Sequence, residues 1–244
     1  MRDALLSVTE SGVVLDYEAI LEGAYRRLLR PGDVVVDVGA HTGRHTAVFS
    51  TLVGERGQVI AFEPVPEVRA SLEARLVTAS NVLVLPYAAS DTDGSISFVH
   101  AVGTPQESGI RARTCYNVPE LANPTTITVE ARQLDHVLGE LPALRYVKVD
   151  IEGGEIDCLR GARRIIERFR PVLSVEYGYP GYSAYGYSAR SLPAYAARIG
   201  YIPCDLWGNR LDQPGVWDQV CDSVYWDYFL IPRERIREST ALQR

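Results

Sequence analysis

Two spacings of apolar residues alternate along the chain. Short runs of β-branched and apolar residues without alternation, VVVDV at 34–38 and QVIAFE at 58–63, predict strands buried on both faces, as in a parallel sheet. Between them apolar positions recur at helical spacing. Residues 17–29 predict a helix ended by Arg30, Pro31 and Gly32, and Thr42 is placed to cap a helix reaching about Val53. Gly54 and Gly57 bracket a turn, and Pro64 opens a helix to about Ala79. A third strand is expected at 81–89, with an interruption at Pro86. Strand–helix–strand–helix–strand with short connections is half of a doubly wound α/β sheet.

The second half is more varied. SISFVH at 95–100 alternates and reads as an added edge strand or hairpin. Residues 101–125, rich in Gly and Pro, read as an insertion loop over one end of the sheet. A short strand and helical turn are expected at 127–138, a buried strand at 145–152, one helix at 154–169 and a further strand at 171–177. A tyrosine-rich loop (178–190), a helix at about 189–199 and strands at 201–206 and 223–231 complete a single domain, 1–244, in which 1–30 is an N-terminal helical extension.

Composition narrows the function classes. The chain has 244 residues with a formal net charge of −6, and an acidic surface repels phosphate backbones, so no nucleic-acid partner is expected. No apolar run approaches the roughly 18 residues of a membrane helix, and no secretory segment is evident, so a cytoplasmic protein without a membrane partner is expected. Cys115, Cys158, Cys204 and Cys221 lie far apart and form no Cys-x-x-Cys pair, which favours isolated reduced thiols over zinc or disulfides.

The candidate chemistry sits where strands end. Open parallel sheets bind ligands at the carboxyl ends of their strands. The first strand reaches Asp37 and a turn containing Gly39, Ala40, His41, Thr42 and Gly43; the second ends at Glu63. The three closely spaced glycines of a dinucleotide site are absent. A ligand without phosphates fits better, and S-adenosylmethionine is such a ligand. Gly39 and Gly43 let the backbone approach its methionyl part, Asp37 places negative charge near the ammonium, and Glu63 is able to accept both ribose hydroxyls. Ala88, Ala89, Ser90 and Asp91, after the third strand, are the candidate adenine pocket. Each element alone is weak: a glycine turn is often only a turn, and Glu63 before Pro64 is equally a helix cap.

Four stretches carry a family resemblance: DVGAHTG (37–43), FEP (62–64), AASDTDG (88–94) and VKVDIEGGEIDCLRG (147–161). Over about residues 33–177 the chain resembles the FkbM family of class I S-adenosylmethionine-dependent methyltransferases. The resemblance implies a Rossmann-like, seven-stranded, mostly parallel sheet with an antiparallel C-terminal strand. It also implies O-methylation of a hydroxyl, often on a saccharide or a polyketide-type natural product. His41 departs from the family's usual Asn, and Val149 from its usual Ile.

Methyl transfer to an alcohol requires alignment and removal of a proton, by a base or with a metal that lowers the alcohol's pKa. Asp150 and Glu176 close the two strands that should face the methyl group. They are the candidate catalytic residues and the candidate ligands for Mg²⁺, a hard ion that favours oxygen. Lys148, on the same strand face as Asp150, and His45 are candidate assistants. Glu155 reads as a helix N-terminal charge and Glu152 as a turn residue. The five tyrosines from Tyr177 to Tyr187 suit either a lid over a polyoxygenated acceptor or packing against the domain or a second copy of the chain. Arg111 and Arg113 reach either an acidic substrate group or solvent. His100 and His136 read as surface or edge residues. The competing readings are a nucleic-acid ribose O-methyltransferase, an NAD-dependent oxidoreductase and a non-catalytic binding module of the same fold.

Overall fold

The structure is a computed structural model that describes residues 15–223 and 225–243. Residues 1–14 of the expected N-terminal extension lie outside the described residues; its described part carries helix α1 (Tyr17–Leu28), with Asp16 accepting from the N–H of Ala19 as a cap. Strand β1 (Val34–Val38) is buried along its whole length. It pairs in parallel with β2 (Gln58–Phe62) on one side and, across the chain, with β7 (Tyr146–Val149) on the other. Helices α2 (Arg44–Val53) and α3 (Pro66–Arg75) follow the first two strands, and β3 (Val82–Leu85) extends the sheet beyond β2. Strand β8 (Val172–Glu176) joins β7 in parallel. At the C-terminal end, β10 (Asp227–Pro232) runs antiparallel between β8 and β9 (Tyr201–Cys204). The order β3-β2-β1-β7-β8-β10-β9 is the expected seven-stranded Rossmann-like sheet. Its strand order reverses between β1 and β7, so their carboxyl ends open a crevice.

Both sheet faces are covered, as unalternating strands require. Val34, Val36 and Val38 pack with Leu159, Ile165 and Ile166 on one face. Val35 packs with Leu21, Tyr25 and Phe49 on the other. Asp37 and Lys148 are register partners on β1 and β7, on the second of these faces.

Two expected elements fall in a second sheet, and a third is divided. The strand at 81–89 breaks at Pro86, which cannot donate to a ladder. The chain then leaves the main sheet as β4 (Tyr87–Ala89), in a separate sheet of order β4-β6-β5. The segment expected as an edge strand or hairpin, β5 (Gly94–Ala101), pairs antiparallel with β6 (Pro124–Arg132) in that second sheet. The expected single helix at 154–169 is two, α4 (Glu155–Gly161) and α5 (Arg163–Phe169), divided at Ala162. The Asp135 carboxylate accepts from the N–H groups of Arg164 and Ile165 at 2.8 and 2.9 Å, so the second helix has its own N-terminal partner. A final helix, α6 (Ser191–Arg198), precedes β9. No described helix is long and apolar enough to cross a membrane.

Candidate functional site

The crevice begins at the turn after β1. Gly39 has φ +83°, and a Cβ there would lie 1.8 Å from the carbonyl oxygen of Asp150. Only glycine lets the β1 turn pass so close to the end of β7. The N–H groups of Gly39 and Ala40 both donate to the Phe62 carbonyl, tying the turn to the end of β2. His41 takes the left-handed region at φ 50°, which an L side chain with a Cβ rarely adopts. Gly43, φ +84°, caps α2 and faces Leu72.

Glu63 completes this half. It is buried, and its two carboxylate oxygens accept from the N–H groups of His41 (3.0 Å) and Val65 (2.9 Å). Each oxygen keeps a second lone pair for a ligand. Burial pushes its pKa up to about 7, against the pull of those two N–H groups. Glu63 and His41 line a cleft of about 540 Å³ whose far wall is apolar, made of Val65, Tyr87, Ala88, Ala89 and Phe98. Asp37 is buried; one of its oxygens accepts from Thr46 at 2.6 Å, and the other is buried without a partner. His41 Nε2 is likewise buried and unpartnered. Unmet polar atoms at the glycine turn, a buried carboxylate beyond it and an apolar slot beyond that suit a ligand with charged, polyhydroxylated and aromatic parts in that order.

Not every expected residue joins this cleft. Ser90 is buried, but its N–H donates to Arg132 and it does not line the cleft. Asp91 is exposed, beside Gly161, and is also outside the lining. The cause is the departure of β4 from the main sheet: the second sheet supplies the apolar wall instead, including Phe98, which the sequence did not single out.

The other half lies at the ends of β7 and β8. Lys148 is 2% exposed and its Nζ donates to Asp150 at 2.6 Å. Burial pushes its pKa down, but the Asp150 and Asp37 carboxylates more than reverse this and hold it charged. For Asp150, burial raises the pKa, yet Lys148 and a hydrogen bond with Glu176 bring it down to about 2. Glu176 is held well above the usual carboxylate range by burial and by the Asp150 and Glu152 carboxylates. Asp227, register partner of Glu176, is pushed up to about 7 by burial and by Asp150.

Glu152, φ 63°, joins Asp150 and Glu176 in a group in which one carboxylate oxygen of each lies within 4.8 Å of the others. Arg113 is neither solvated nor free for a substrate. It is buried, with Nη1 2.9 Å from Glu152 and 3.3 Å from Glu107, and so clamps the insertion onto the site. Arg111 is exposed and stacks over Tyr185 at 5.1 Å. The His45 ring is held on both nitrogens, by Tyr25 (2.9 Å) and Glu18. Glu155 folds back to accept from the N–H groups of Gly153 and Ile151, fixing the turn that carries Glu152. His136 is exposed and pairs with Asp93, whereas His100 is buried on the edge strand β5.

Asp150, Glu152, Glu107, Arg113 and His45 line a second, polar cleft of about 860 Å³ together with Glu18, Arg44, Lys148, Glu176 and Trp226. It meets the first cleft at Gly39, His41, Gln106, Asp150 and Glu152. The tyrosine segment packs on the domain. Tyr177 stacks on Tyr182 at 4.7 Å, Tyr182 donates to Asp222, and Tyr187 bonds Asp157. Sequence reasoning missed Glu107, Gln106, Trp226 and Asp227. Only Asp227 left a signal, as a lone charge entering the apolar run of β10.

The model of the methyltransferase FkbM domain matches residues 37–202. The chain is 32% identical over 142 residues to the hexuronic acid methyltransferase AglP of Haloferax volcanii, a match covering 58% of this chain and 54% of that protein. It is 36% identical over 70 residues to a protein-L-isoaspartate O-methyltransferase of Methanococcus aeolicus, covering 29% of this chain and 32% of that one. The matches thus span about half or less of those relatives' lengths. Among solved structures, a methyltransferase FkbM from Methylobacillus flagellatus superposes with TM-score 0.52 at 18% identity, over 93% of this chain and 58% of that one, which shows a shared fold.

Proposed function

The chain belongs to the FkbM methyltransferase family, and from that premise we propose that it transfers a methyl group from S-adenosylmethionine to a hydroxyl of a small molecule, a saccharide in the first instance. The observation that carries the reading is the position of Asp150, which lines both clefts at their junction. Glu63 would hold the ribose, the Gly39–His41 turn with Asp37 the methionyl end, and the Val65–Phe98 wall the adenine. Bound there, S-adenosylmethionine supplies an electrophilic methyl carbon on a sulfonium with a neutral leaving group.

The protein's part is alignment. Asp150, kept ionised by Lys148, accepts the acceptor hydroxyl's hydrogen bond and so points its oxygen toward the shared mouth of the clefts. With the cofactor in place, the methyl group would pass from sulfur to this oxygen and the hydroxyl proton would be released to water past the Asp150 carboxylate. Lys148 and Glu176 act on Asp150, and His45, engaged by Tyr25 and Glu18, holds α1 against the cleft wall. The similarity to a hexuronic acid methyltransferase supports a sugar acceptor. The polar, carboxylate-rich second cleft supports a polyhydroxylated one.

The test is a methyl-transfer assay with labelled S-adenosylmethionine against uronic acids, neutral hexosides and polyketide alcohols. Label appearing as an alkali-stable ether on a sugar supports the reading. Label entering only carboxylates as alkali-labile esters, or no acceptor at all among the panel, contradicts it.

A further inference from the structure

We propose that Asp150, Glu152 and Glu176 hold one divalent cation of the magnesium or manganese class at the carboxyl ends of β7 and β8. One oxygen from each of the three falls within 4.8 Å of the others. Hard divalent ions of this class take oxygen donors at about 2.0–2.1 Å, so donors around one ion are separated by roughly 3–4 Å. Small side-chain adjustments close the group around an ion.

A second observation points to the same place. Glu155 is 1% exposed, and one of its oxygens, Oε2, is buried without any partner. It lines the same small recess as Glu152 and Glu176. A buried carboxylate oxygen lacking a donor is costly, and a cation with its bound water would satisfy it. The local cations do not. Lys148 engages one oxygen of Asp150, and Arg113 is shared between Glu152 and Glu107, so neither reaches Glu155 Oε2.

The site itself stands apart from the methyl-transfer reading; only its role rests on that reading. Placed where the two clefts meet, the cation would bind the acceptor oxygen and lower its pKa, and the proton would leave to water as the O–C bond forms.

The experiment is a titration of the EDTA-stripped full chain with manganese, followed by the electron paramagnetic resonance signal of the free ion. Calorimetry with S-adenosylmethionine runs alongside. One ion per chain, displaced by excess magnesium and weakened roughly tenfold or more in Glu152→Gln and in Glu176→Gln, is expected. In the unsubstituted protein, manganese should broaden the amide resonances of Gly153 and Gly178 first, which locates the ion even if a variant fails to fold. A free-ion signal undiminished at millimolar manganese overturns the proposal, leaving a hydrogen-bonded carboxyl group in its place. Binding that both variants retain, or broadening centred elsewhere, also overturns it. Manganese binding at the site without S-adenosylmethionine binding would sink the function above and leave the cation site standing; the reverse would do the opposite.

Discussion

The two halves of the crevice are built in different ways. The β1–β2 half is local: a glycine turn, a carboxylate one strand away, and backbone N–H groups that tie them together. The β7–β8 half is assembled from distant segments, with Glu107 and Arg113 from the insertion, Lys148 to Glu155 from one strand end, Glu176 from the next and Asp227 from near the C-terminus. The first half is shaped by what the backbone can do, the second by the balance of buried charge. A local half tolerates change outside its motif. A distributed half transmits damage from any of its contributors.

The largest expected effect lies where the halves meet. Asp150→Asn should lower kcat by about 10²–10⁴-fold, the usual weight of a positioned proton acceptor, with S-adenosylmethionine affinity changed by no more than about threefold. Steady-state rates and calorimetry on one preparation check this, and a parallel collapse of affinity would erase the division between halves.

Next comes the clamp of the distributed half. Arg113→Ala leaves two buried carboxylates, Glu107 and Glu152, without their cation and should cost about 3–5 kcal/mol of stability. Denaturant unfolding measures it, and a loss below about 1 kcal/mol would mean the insertion is held by something other than charge.

The local half should respond to pH. Glu63 must be ionised to accept two ribose hydroxyls, and burial lifts its pKa to about 7. Affinity for the cofactor is therefore expected to fall as pH drops through 7, and Glu63→Gln should flatten that dependence. Folding stability moves the opposite way. The folded state holds this proton more tightly than the unfolded chain does. The contribution is thus complete below the unfolded value of about 4.5 and is lost as pH rises through 7. Titration calorimetry and thermal melts across pH 5–8 report the two slopes.

The smallest effect belongs to the turn. Asn adopts φ near +50° more readily than His, so His41→Asn should be neutral or stabilising by about 0.5 kcal/mol. A destabilisation beyond about 1 kcal/mol would give the imidazole a structural role that its unpartnered Nε2 does not indicate.

This contrast also explains what could be read from the sequence. Gly39, His41 and Glu63, which line the first cleft, left a signal because a glycine turn and a lone charge each follow a buried strand. Asp150 and Glu176 were legible because each charge ends a buried strand. Asp91 was misplaced because Pro86 sends β4 into a second sheet, a choice set by tertiary pairing. The helix at 154–169 was read as unbroken because its divider, Asp135, lies about thirty residues before the N–H groups it accepts from and acts only once the chain is folded. Glu107 left no trace and Arg113 was read as facing substrate or solvent, since a Gly- and Pro-rich insertion carries no periodicity from which burial can be inferred.

The most direct test of the account is a calorimetric titration with S-adenosylmethionine of the unsubstituted protein and Glu63→Ala side by side. Saturable one-site binding, weakened roughly tenfold or more by the substitution while the fold survives, is predicted, since hydrogen bonds to a buried carboxylate are worth about 1.5–3 kcal/mol. Equal affinity in both proteins would place the cofactor elsewhere and contradict the reading of the β1–β2 cleft.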